Sequence, residues 1–111
     1  MKPTDVQVKK FWERCGFIYK PDWEKCWKYP NSPHHQSTAT LKITLNNLFK
    51  YAVPKLLEKE GYYFELRSPY KDMPYCAVIG KHNEYEAWTL HSSENEDPAL
   101  ALFYALQEAM K

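Results

Sequence analysis

Glycine and cysteine are both scarce, three of each among 111 residues. P-loop, GxGxxG, HExxH and GxSxG patterns are all absent, so nucleotide cradles, zinc peptidase helices and nucleophile elbows are excluded as motifs. Cys15, Cys26 and Cys76 are an odd number and too sparse for a disulfide framework, which points to a reducing compartment. An excess of either charge is missing too. Fifteen Lys+Arg oppose fourteen Asp+Glu, a net charge of +1, without the basic surplus of a typical nucleic-acid binder. No apolar run is long enough to cross a bilayer. The opening "MKPTDVQVKKFWER" lacks the apolar stretch and cleavage site of a signal peptide. The expectation is a cytoplasmic protein with no membrane partner.

What the chain has is aromatic surface. Hydrophobic residues make up 44%, and nine Tyr with four Trp supply large rings that carry a polar handle. Order is expected at this apolar content. The length fits a single domain, residues 1–111, able to bury roughly 65% of its unfolded surface without a metal or disulfide.

Periodicity then divides the chain. Thr4 can cap a first helix, with Val8, Phe11, Trp12 and Cys15 on one face and Gly16 as its left-handed stop. Residues 17–36 follow, an aromatic segment in which Pro21-Asp22 predicts a β-hairpin. From Thr44 as cap, Leu45, Leu48, Phe49, Ala52, Val53, Leu56 and Leu57 form one apolar stripe, closed by Gly61. Pro54 interrupts that stripe without changing its phase, which predicts a kink within one helix. "YYFELR" places Tyr62, Phe64 and Leu66 on one face of a strand. "YCAVIG" reads as a central strand, and "EYEAWTL" as its return after a turn at His82-Asn83. A last helix starts at Asp97, with Pro98 in its first position and Ala99, Leu102, Phe103, Leu106 and Met110 inward. The fold class is therefore α+β. A three-stranded antiparallel sheet lies within an α-β-β-β-α core from Thr44 to Lys111, with helices packed on it. An N-terminal helix (1–16) and an aromatic hairpin (17–36) precede it.

Two segments, "LFKYAVPKL" (Leu48 to Leu56) and "DPALALFYAL" (Asp97 to Leu106), resemble signature stretches of the phage ABA (α-β-α) sandwich domain, a family of small phage and prophage proteins. The likeness extends loosely from about Cys15 to the C-terminus and includes the run "CWKYP". It implies helices packed against an antiparallel sheet, a phage or prophage setting in the host cytoplasm, and no catalytic residues to carry over.

Residues that could bear chemistry are few. The start of the last helix offers free N–H groups, but Asp97 can accept from them itself, and Glu94 and Glu96 would repel an anion. Cys15, Cys26, His34 and His35 lack the close pairing of zinc ligands, so no metal and no cofactor is expected. Cys76 with His82 or His91 is a nucleophile and base on paper, but Cys76 falls inside a strand and no orienting group accompanies it. Glu84 and Glu86 read as charges that keep an edge strand from aggregating.

The helix–three strands–helix order also matches double-stranded RNA-binding domains. Those domains grip phosphate with lysines at the last helix, where this chain has "ENEDPALA". Such a module is the alternative reading, an unrecognised enzyme another, and nucleic acid is not the expected partner. The preferred reading is a non-catalytic binding domain for a host protein or a small molecule. Its tentative surface is Trp23, Trp27, Tyr29, His34 and His35, at least one of those three rings being exposed beside the histidines.

Overall fold

A computed structural model describes residues 2–20, 26–28, 35–37, 41–68 and 71–111. They divide into two compact units, Met1–Ile43 and Thr44–Lys111.

In the first unit, helix α1 (Asp5–Arg14) begins at a capping box. The Thr4 hydroxyl accepts from the Gln7 N–H, and the Gln7 side chain accepts from the Thr4 N–H. At the other end the Gly16 N–H donates to Glu13 and the Phe17 N–H to Trp12, a Schellman closure that needs the left-handed backbone of Gly16, φ 99°. Phe11, Trp12 and Cys15 are fully buried, as the predicted stripe requires, and Val8 is half-buried. Three short strands follow: β1 (Ile18–Lys20), β2 (Cys26–Lys28) and β3 (His35–Ser37). β1 pairs antiparallel with β2, as the hairpin reading requires; the Pro21-Asp22 turn lies outside the described residues. β3, expected as loop, pairs antiparallel with the other edge of β2. Its sequence, His-Gln-Ser, has no apolar alternation by which it could have been read as a strand.

In the second unit, Thr44 caps the helical segment by accepting from the Asn47 N–H at 3.1 Å. The segment runs through α2 (Leu45–Asn47), a wide turn (Leu48–Ala52) and α3 (Val53–Leu57). Pro54 leaves one helical segment and not two, as predicted, and a wide turn precedes it. The Val53 N–H donates to the Leu48 carbonyl, five residues back, so the helix stays continuous by widening one turn. A widened turn accommodates a residue that has no N–H and whose ring clashes with the preceding turn. The extra residue also redistributes the stripe. Leu48, Ala52, Val53 and Leu56 are buried, whereas Phe49 and Leu57, predicted inward, are 43% and 51% exposed.

Gly61, at φ 80°, serves strand entry more than helix exit, because its carbonyl accepts from the His82 N–H of the neighbouring strand at 2.8 Å. The sheet has the order β4 (Tyr62–Arg67), β5 (Tyr75–His82), β6 (Ala87–Asn95), antiparallel throughout. β6 starts three residues later than the predicted "EYEAWTL" and runs on past it through His91–Asn95. Helix α4 (Pro98–Ala109) returns over β5 and β6. It covers the face that carries Ala77 and Ile79, both fully buried. α4 is buried more widely than one stripe, Ala101 and Ala105 included, because it also meets the α2–α3 segment. Lys59, just after α3, is tied to α4: its ammonium donates to the Ala109 carbonyl at 3.0 Å, at the negative end of that helix.

Candidate binding surface

The aromatic surface expected in the first unit is only partly described. Trp27 sits at the centre of the small sheet, opposite Tyr19 on β1 and Gln36 on β3. Its ring lies 5.0 Å from that of Tyr19 and 6.4 Å from Phe17, and Phe17 is in turn edge-on to Trp12 at 5.5 Å. Trp27 is buried and cannot be the exposed ring. A short strand can seal one tryptophan when rings on both flanks pack against it. Trp23, Tyr29 and His34 lie outside the described residues. His35 is placed only by its backbone, opposite Lys28.

The second unit keeps the suggested nucleophile apart from its bases. Cys76 and His82 lie six residues apart on β5, a spacing of about 20 Å along an extended strand. His91 pairs with Ile79 in register, which puts it on the opposite face of the sheet from Cys76. The His82 ring instead packs on Tyr63, with centroids 5.9 Å apart. Among the described residues, no group of three or more His, Cys, Asp or Glu side chains could hold a metal ion, and no helix is long and apolar enough to cross a membrane.

The start of α4 is occupied. The Asp97 carboxylate accepts from the Ala99 N–H at 2.8 Å, and the Asn95 side chain accepts from the Asp97 N–H at 2.9 Å. This helix start is a cap and offers no open anion site.

Phe49, Leu57 and Met73 are exposed singly on other elements, whereas three exposed apolar groups, Tyr85, Trp88 and Leu90, fall within six residues on β6 and the turn before it. Asn83 organises that turn. Its side-chain oxygen accepts from the N–H groups of Tyr85 (2.8 Å) and Glu86 (3.0 Å), while its own N–H donates to the Glu86 carbonyl (2.9 Å). The turn presents Tyr85 at 90% exposure. Glu84 and Glu86 belong to it, so they are turn residues and not the strand pair predicted. Beyond it Trp88 and Leu90 are 39% and 38% exposed. β6 is the last strand of the sheet, and among the described residues it pairs with β5 alone. Its register with β5 shifts between Ile79 and Gly80: His91 faces Ile79, Thr89 faces Gly80, and Leu90 is the extra residue.

Tyr85, Trp88 and Leu90 were not among the sequence-predicted site residues. A signal was present, however. Glu84 and Glu86 stand within four residues of Trp88, and charges so close in sequence argue against sealing that tryptophan in a core.

The chain matches no protein family, no curated protein and no solved structure.

Proposed function

We propose that the chain is a small non-catalytic binding domain whose working surface is the β5–β6 turn and the free side of β6. The observation that carries this reading is the exposure of Tyr85, Trp88 and Leu90 together on one hydrogen-bonded turn and one sheet edge. Tyrosine and tryptophan dominate recognition surfaces because they bring large apolar area with little rotamer entropy to lose. The Asn83 hydrogen bonds that hold the turn reduce what must be ordered on association. The separation of Cys76 from His82 and His91 supports binding over cysteine catalysis.

The proposed setting is a phage or prophage protein in the host cytoplasm, with a host protein or a small molecule as partner. It rests on the likeness of Leu48–Leu56 and Asp97–Leu106 alone. Those stretches carry the wide turn and the capped helix, so they speak for architecture rather than for a ligand.

Site-specific photocrosslinking tests the reading. A photoreactive phenylalanine analogue in place of Tyr85 or Trp88, in cells that make the protein, should yield a discrete adduct. The same group in place of exposed Glu60 should not. Equal labelling at all three positions would overturn the proposal.

A further inference from the structure

Resting on that reading, we infer that the partner is an extended peptide segment, basic at both ends and apolar in the middle, which adds to the sheet as a strand along β6. The inference starts from the backbone. An edge strand directs alternate N–H and C=O groups away from its sheet, and another extended chain can satisfy them. β6 is nine residues long, and Ala87, Trp88, Thr89 and Leu90 are all exposed.

Charge selects the occupant. Around the apolar centre, Glu84 and Glu86 precede β6, Glu94 lies near its end, and Glu96 and Asp97 follow. From Glu84 to Asp97 the chain has no lysine or arginine. Glu84, Glu86, Glu94, Glu96 and Asp97 are all exposed.

A second copy of this chain does not fit that edge. Antiparallel self-pairing would set Glu84 and Glu86 of one copy beside Glu94 and Glu96 of the other, and parallel pairing would set each acid beside its own copy. Like charges directly opposite are destabilising in a sheet. The acids that bar self-pairing complement a strand with lysine or arginine at both ends, while Trp88 and Leu90 take its central side chains. The extra residue at Leu90 twists the edge, so a short segment fits better than a long one.

The probe is a synthetic peptide of the length of β6, with lysines at both ends around alternating valine and threonine. We expect it to bind the whole chain, to slow hydrogen exchange of β6 amides, and to weaken steeply as salt is raised. The same peptide N-methylated at alternate residues keeps its charge but cannot pair as a strand, and should lose binding by an order of magnitude or more. The variant Glu86→Lys with Glu94→Lys should reverse the preference, favouring a glutamate-ended peptide. Equal binding of the N-methylated peptide, or protection confined to other elements, would overturn strand addition. So would a concentration-dependent dimer abolished by Trp88→Lys, which would assign the edge to a second copy. Absence of peptide binding alongside a discrete Tyr85 or Trp88 photoadduct would reject the basic peptide and leave the binding-domain reading standing. Absence of both would end the two together.

Discussion

Tyr63 and Gly80 face each other across β4 and β5, and the tyrosine ring occupies the space where a side chain on Gly80 would stand. A Cβ built there would fall among the ring atoms of Tyr63. The glycine is thus required by a close approach, and the ring in turn covers backbone that glycine leaves bare. Gly80→Ala should push Tyr63 off the sheet and loosen its packing with His82, costing about 1–3 kcal/mol as an overpacked site. Urea denaturation checks this. An unchanged midpoint would mean that the ring moves aside freely.

The wide turn before Pro54 makes a second expectation specific. Leu56 is fully buried and Phe49 is not, although an uninterrupted α-helical stripe would bury both. Leu56→Ala should therefore cost about 2–5 kcal/mol. Phe49→Ser, a partly exposed site, should stay within about 1 kcal/mol even though its ring lies 5.8 Å from that of Phe64. Comparable losses at both positions would show that the stripe keeps its α-helical phase through Pro54.

The same contrast shows how much could be read from the sequence. Elements with strong periodicity or capping chemistry were legible: α1 with Thr4 and Gly16, the central strand "YCAVIG", and α4 with Asp97 and Pro98. What escaped depends on facts outside local pattern. Pro54 was visible, but the wider turn that accommodates its missing N–H was not. β3 is held by pairing with β2 and not by its own residues. The continuation of β6 through "HSSEN" is likewise imposed by its partner, since Ser92, Ser93 and Glu94 have weak strand preference. For the binding surface, the excess of aromatic residues was legible, but their distribution was not. Trp27 is consumed by packing among Phe17 and Tyr19, and Trp88 is left outside.

Asp97 supports a prediction about both stability and ligand choice. Its carboxylate accepts the Ala99 N–H, so Asp97→Ala should cost about 0.5–2 kcal/mol, the range for a lost helix cap. With Glu94, Glu96 and Asp97 gathered there, duplex RNA should give no gel shift at physiological salt. Sub-micromolar binding that falls steeply with added salt would favour the RNA-binding alternative, because phosphate contacts release counterions.

Trp27 and Trp88 offer the sharpest test of where this chain keeps its structure and where it keeps its recognition. Both are tryptophans on strands, Trp27 on β2 and Trp88 on β6, and sequence alone treats them alike. Trp27 is sealed between Phe17 and Tyr19, so Trp27→Ala removes a ring whose neighbours cannot close the gap and should cost about 3–5 kcal/mol. Trp88 lies at the sheet edge opposite Lys81 and is 39% exposed, so Trp88→Ser should cost far less, within about 1 kcal/mol. The order should invert for binding. Trp88→Ser should remove the lysine-ended peptide's affinity, and a Trp27 variant that still folds should retain it. A Trp88 variant that loses stability as Trp27 does would make β6 part of a core, and its edge would then not be the recognition surface.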